Sequence, residues 1–382
     1  MHKRFAVVST LVVLAVLATA CPSPAAQTVE VTRVVEVTRV VQVTPEGGGV
    51  PVEQPTPPPA PPPAAANTLQ TVLDRGKLVC GVHGTFNGFG YLDPNGVWTG
   101  FDVDFCRAWA AALFDDANAV EFRGVSAQER FTVLQAGEID VLSRNTTWTL
   151  TRDSELGLDF GPTVFFDGQA MMVKKELIDD PTVGLDGLAR ADICVQTGTT
   201  TELNLADQMR AAGAEYTPVV FEDQNAAFQA YDQGRCDAIT SDRSQLATQG
   251  QAVLQDPSAH IILDVVMSKE PLGPVVRHGD NAWGDIVNWV VYGMIQAEEL
   301  RITSENVDSA LASEDPVTRR LLGVEGDMGT KLGVTNDFIY RAIKRVGNYA
   351  EVFERNLGPF GLTRGQNALW TQGGLIYAPP IR

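Results

Sequence analysis

The sequence predicts an α/β protein of two lobes, each a mainly parallel sheet flanked by helices. Strand and helix patterns alternate from Asn67 onward, and the alternation occurs twice, in two series of the same kind. The chain of 382 residues, 44% hydrophobic and 20% charged, is long and apolar enough for one large or two medium cores.

Taken in order, residues 1–20 read as an export signal. His2, Lys3 and Arg4 give a positive start, and Phe5 to Ala20 is an apolar run too short for a membrane span. The signal closes on "LATAC", where Cys21 suits lipid attachment of the bacterial lipoprotein kind and Ala18 stands where such proteins usually carry leucine. Residues 21–66 form a low-complexity arm with a six-residue repeat in "EVTRVVEVTRVVQVTP" and a proline run in "PTPPPAPPPAAA". Proline favours extended polyproline, so the arm reads as a semi-rigid spacer behind an anchor. The valine-rich repeat equally suits a short strand with a partner.

In the first series a short helix capped by Asn67 or Thr68 precedes a strand at "KLVCGV", and "DPNG" (Asp93 to Gly96) marks a turn. A helix from Val103 to Phe114, a strand at "VEFRGV", a helix from Gln128 to Ala136 and a strand at "IDVLS" follow. The second series comprises "ADICVQ", a helix from Thr200 to Arg210, "TPVVF", a helix from Gln224 to Gln233 and "CDAITS". Parallel strands joined through helices imply right-handed crossovers. A later helix from Trp283 to Glu299 spaces Ile286, Trp289, Val290 and Met294 for burial, and the aromatic-rich ending reads as a packing wrap.

Apart from Cys21, the cysteines are Cys80, Cys106, Cys194 and Cys236. An even number in an exported chain reads as two disulfides, for which three connectivities exist. Cys80 with Cys106 and Cys194 with Cys236 keeps each bridge inside one folding unit. With no CxxC spacing and only four histidines, no metal or other cofactor is expected. The net charge of −18 argues against a nucleic-acid partner, because phosphate backbones select basic surfaces.

Open α/β sheets bind ligand beyond the carboxyl ends of their strands. Three stretches sit there: "VLSRNTTWTLTRD" (Val141 to Asp153), "TGTTTELN" and "SDRS". Gly198 permits a tight turn, and Thr199, Thr200 and Thr201 begin a helix whose free N–H groups favour a carboxylate. Arg152 adds a guanidinium fork, and Asp242 supplies the opposite charge. Asn145 and Thr147 add neutral oxygens, so together these groups describe a zwitterion's complement. Each has a duller account. Arg152 can pair with Asp153 or Glu155, Asp242 can cap its helix with Gln245, and Thr199 can cap against Glu202.

The chain from about Leu69 to Arg382 resembles the extracytoplasmic solute-binding proteins of ABC importers, the polar amino-acid family, and within it the general L-amino-acid-binding proteins. The resemblance rests on "GFDVDFCRAWAAALF", "ERFTVLQAGEIDVLSRNTTWTLTRD", "ICVQTGTTTELNLAD", "YDQGRCDAITSDRSQL", "HIILDVVMSKEPLGPVVRHGD" and "GLIYAPPIR". It implies a type II periplasmic-binding-protein fold with a two-strand hinge near Phe166 to Val173 and Val265 to Gly273. Lobe 1 then spans 67–168 and 268–382, and lobe 2 spans 169–267. It implies that Arg152 and the Thr200 backbone hold the α-carboxylate of a free L-amino acid and Asp242 its ammonium. Asn145 and Thr147 line the pocket, and Phe86 packs on the ligand side chain. Relatives selecting cationic side chains often carry an aspartate near the position of His83, so a strong lysine or arginine preference is not expected, and His83 itself either donates to a polar ligand side chain or is a half-exposed loop histidine. The implied partners are an ABC permease and its ATPase, met at the outer face of the cytoplasmic membrane or in the periplasm. The competing classes are a dehydratase-like enzyme on the same fold, for which Glu202 is the nearest general acid, and an amino-acid-sensing receptor domain.

Overall fold

The computed structural model describes residues 67–382. The expected signal, the anchor at Cys21 and the repeat-bearing arm lie outside them.

Two five-stranded sheets organise the chain. The first runs in the order Val120–Gly124, Leu78–Val82, Val141–Leu142, Val275–Arg277, Leu158–Phe160. The second runs Thr217–Phe221, Asp192–Gln196, Ala238–Asp242, Gln169–Lys174, His260–Ile262. The two orders match strand for strand. In each, the first three strands are parallel, and one strand, Val275–Arg277 or Gln169–Lys174, runs against its neighbours. These reversed strands each follow a crossing between sheets, through the antiparallel pair Phe165–Asp167 and Glu270–Leu272. A chain arriving through the crossing enters from the opposite direction to a βα unit, so mainly parallel sheets acquire one reversed member each.

Element boundaries follow local chemistry. The first long helix is Phe101–Phe114, two residues earlier than its apolar spacing suggests. Gly100 stands before it at φ 135°, where a Cβ would lie 2.1 Å from the Phe89 carbonyl oxygen, so only glycine permits the approach. The expected Gln128 to Ala136 helix is shorter, Arg130–Gln135, because Ser126 and Glu129 bond reciprocally across the preceding turn. The later helix Asn281–Glu299 buries Ile286, Val290 and Met294 completely, whereas Trp289 is only half-buried. Trp283 and Trp109 fill the core, their indole N–H groups donating to the carbonyls of Asp140 (2.9 Å) and Val287 (3.1 Å).

The cysteines stand at disulfide distance as Cys80 with Cys106 and Cys194 with Cys236, Cα separations 6.1 and 5.7 Å. One pins the Phe101–Phe114 helix to its strand, and the other ties the strand Asp192–Gln196 to the segment leading into the strand Ala238–Asp242. In the C-terminal wrap, the Asn367 amide accepts from the Phe166 N–H (2.6 Å) and donates to the Phe166 carbonyl (3.1 Å). It thereby braces the crossing strands.

Candidate ligand-binding site

The parallel strands of both sheets aim their carboxyl ends at one enclosed cavity. Its walls are His83, Arg130, Arg144, Asn145 and Thr147 from the first series, and Gln196, Thr199, Thr200, Thr201, Ser241, Asp242 and Gln245 from the second. The volume is about 20 Å³, room for one water-sized sphere, so a larger ligand enters only as the walls separate.

The second wall carries the acid. Asp242 is 5% exposed at the start of the Arg243–Val253 helix, yet makes no cap hydrogen bond. Gln245, its expected capping partner, instead accepts from the Ser241 hydroxyl (2.5 Å). Burial pushes the Asp242 carboxyl well above the usual carboxylate range, and the negative charges of Asp167 and Glu270 add to this against Arg130 and Arg152. Thr199 does cap its helix, accepting from Glu202 N–H (3.1 Å) and donating to the Gln196 carbonyl (2.7 Å). Thr200, the first helical residue, has an N–H with no intrahelical acceptor, next to the cavity. Gly198, at φ 73°, makes the turn and does not line the cavity. Its N–H and the Thr197 hydroxyl are both taken by Glu202 (2.9 and 3.1 Å).

The first wall carries the cations. Arg152 forms none of the ion pairs with Asp153 or Glu155 that its sequence allows. It is 8% exposed, its guanidinium donates to the Thr147 carbonyl (2.9 Å), and it lies 5.2 Å from the Phe131 ring centre. That position is behind Thr147 and not on the cavity wall. Arg130 and Arg144, each 3% exposed, do reach the wall. Arg144 Nε donates to the Val125 carbonyl (2.8 Å), and Arg130 sits over Phe131 (4.8 Å) with its Nε unpartnered. Burial pulls Arg144 down to about 10, with Asp102 opposing, and draws Arg130 further below its usual value, helped by Arg152 and Arg144. Among the described residues, none of the three forms an ion pair within 4 Å.

Beside them, the Thr85 N–H donates to His83 Nδ1 (3.2 Å), which leaves the proton of a neutral ring on Nε2, where no acceptor meets it. Burial holds this imidazole well below its usual pKa, with Arg144 and Arg130 adding to the effect. Asn145 adopts a left-handed φ of 31°, held by Asp102, which accepts its N–H (2.8 Å) and whose carboxyl burial raises to about 7. Its Oδ1 is a buried acceptor without a donor. Phe86, expected against the ligand, is instead fully buried, stacked on Phe89 (4.5 Å) with its edge toward His83 (5.6 Å). Phe89 in turn packs edge-on against Phe101 and Phe165, so the ring joins a phenylalanine cluster beside the cavity wall.

One residue joins the walls. Glu270, on the crossing strand and 1% exposed, accepts from Thr147 (2.5 Å), Thr200 (2.9 Å), Asn204 (2.9 Å) and Ser268 (2.5 Å). At the rim, Gln249 bridges the same gap. Its amide oxygen accepts from Asn87 N–H (3.0 Å) and Nδ2 (2.8 Å), and its nitrogen donates to the Thr85 carbonyl (2.9 Å) and Asn225 (2.5 Å). Donors on one wall and a free carboxylate on the other suit a small molecule with both charges. No group of three or more potential metal ligands occurs among the described residues.

A profile of the bacterial extracellular solute-binding proteins, family 3, matches residues 78–306. The chain is 51% identical over 324 residues to the general L-amino acid-binding periplasmic protein AapJ of Rhizobium johnstonii, covering 84% of this chain and 94% of that protein. It is 51% identical over 323 residues to the glutamate/glutamine/aspartate/asparagine-binding protein BztA of Rhodobacter capsulatus, with 84% and 94% covered. A solved periplasmic binding protein of an ABC transporter from Brucella ovis, with glutathione bound, superposes with a TM-score of 0.81 at 48% identity, covering 83% of this chain and all of that one.

Proposed function

The chain belongs to the bacterial extracellular solute-binding proteins, family 3, and from that premise we propose that it captures free L-amino acids between two closing lobes and hands them to an ABC importer. The observation that carries the reading is the cavity walled by both sheets, with guanidinium groups that form no ion pair on one side and a buried carboxylate on the other. Lobe 1 comprises 67–168 and 268–382, lobe 2 comprises 169–267, and the paired crossing strands act as the hinge. Asp242 takes the ammonium. Arg152 and the Thr200 N–H take the α-carboxylate, Arg152 exchanging its bond to the Thr147 carbonyl for the ligand as the lobes part and reclose around it.

Ligand contacts from both walls favour the closed form over the open one, and the closed outer surface is what a permease and its ATPase would read. Hydrogen bonds to charged groups contribute about 1.5–3 kcal/mol each, so several of them bring micromolar affinity, near −8 kcal/mol, within reach. The relatives are named as binding proteins, and binding alone requires no general acid. Glu202, the sequence's nearest candidate, is engaged by Gly198 and Thr197. Lipid attachment at Cys21 would hold the protein at the outer face of the membrane, with residues 22–66 as spacer.

The test is a thermal-shift screen across the twenty amino acids, followed by calorimetry and recovery of the ligand. Ligands selective for the native state raise the melting temperature by mass action. An amino acid that binds and is recovered unchanged supports a carrier; one recovered altered supports the enzyme.

A further inference from the structure

The α-amino acid group alone does not account for the charge on the first wall. A zwitterionic head presents one carboxylate, and Arg152 with the Thr200 N–H suffices to pair it. Arg130 and Arg144 remain, both 3% exposed, both on the cavity wall and neither ion-paired. Asp102 acts on Arg144, and Asp242 and Glu270 act on Arg130, only through space; desolvated cations without a direct ion pair are costly, so two of them side by side mark a place prepared for negative charge. The neighbouring unmatched atoms agree in kind. Arg130 Nε and the neutral His83 Nε2 are N–H donors without acceptors, and only Asn145 Oδ1 offers the reverse. A donor-rich corner is met by a group that accepts several hydrogen bonds, and a planar carboxylate matches the guanidinium fork.

Resting on the amino-acid reading above, we propose that this corner selects ligands with a second carboxylate, Arg144 and Arg130 holding the side-chain acid of a dicarboxylic amino acid while His83 Nε2–H donates to it. A cationic side chain placed there meets two like charges in a dry cavity, which excludes lysine and arginine by repulsion. A side-chain amide offers one acceptor oxygen and two surplus donors, so it ranks between the two classes.

The experiment is calorimetry of the full mature chain with L-glutamate, L-glutamine and L-lysine, for the wild type, Arg144→Met and Arg144→Lys. The expected order for the wild type is glutamate, then glutamine, with lysine at least a hundredfold weaker than glutamate. Arg144→Met lowers the glutamate-to-glutamine affinity ratio at least tenfold, and Arg144→Lys, which keeps the charge, recovers most of it. A ratio unchanged in Arg144→Met, or wild-type lysine binding as tight as glutamate, overturns the assignment while leaving amino-acid capture standing. Failure of every amino acid to bind removes the amino-acid reading and this one with it. Should Arg144→Met not fold, the wild-type order decides alone.

Discussion

Asp242→Asn separates a ligand role from a structural one. The carboxylate is 5% exposed and accepts no hydrogen bond among the described residues, so the change deletes none of them. In the unliganded protein it removes a negative charge that Asp167 and Glu270 repel. The native carboxyl lies above its unfolded value, so the folded state holds extra proton between the two. Stability is therefore lost as pH rises from the ordinary carboxylate range through the raised native value. Asp167, raised to about 6 mainly by burial, contributes in the same direction. The variant consequently loses less stability than the wild type between pH 4 and 8, and at pH 7.5 it unfolds no more easily. Ligand binding changes the other way. Truncating one partner of a buried charge pair costs about 2–5 kcal/mol, so about 3 kcal/mol, on the order of a hundredfold in Kd, is expected for any bound L-amino acid. Calorimetry gives the affinity and urea denaturation across pH gives the stability. A Kd within threefold of wild type, or a marked loss of unliganded stability at pH 7.5, would refute the reasoning.

Three further outcomes are expected. Arg152→Ala weakens amino-acid binding by more than about 2 kcal/mol in calorimetry while the unliganded melting temperature barely moves, since among the described residues its side chain makes one hydrogen bond, to a backbone carbonyl. Gln249→Ala removes three hydrogen bonds across the rim, and one to Asn225 on its own side, without touching ligand, so apparent affinity falls by about 1–2 kcal/mol as the open form gains population, and small-angle scattering records a larger radius of gyration. Replacing both Cys194 and Cys236 by serine opens a loop of 42 residues and lowers unfolding free energy by about 4 kcal/mol in denaturant titrations, with smaller effect on ligand affinity.

Much of this architecture is legible from local patterning, because parallel strands buried on both faces write continuous apolar runs such as "ICV" and "AIT". The reversed strands Val275–Arg277 and Gln169–Lys174 are not legible in that way, since direction depends on where the chain re-enters and leaves no mark on periodicity. The rule of strand ends found Asn145, Thr147, Thr200 and Asp242, all of which the structure brings to one cavity. It passed over Arg144, only two residues beyond the strand end at Leu142, although the same rule selects it. Arg130 stands beside Glu129 at a helix start and looks like ordinary surface charge, and only folding reveals it as 3% exposed. Glu270 belongs to the same class. In "SKEPLG" it reads as a loop acid, and its importance emerges only once the crossing strands pair. Phe86 lies in the core next to His83 on the cavity wall, stacked on Phe89.

Glu270's place on the crossing strand also governs its surroundings during opening and closing. Points on an axis of rotation do not translate, whereas points at the lever's end sweep the full arc. In the proposed hinge motion, rim residues such as Gln249 and Asn87 would move further than Glu270, which sits on the crossing strand. Glu270 would thus stay buried longer than the cavity walls beside it, which must part to admit a ligand.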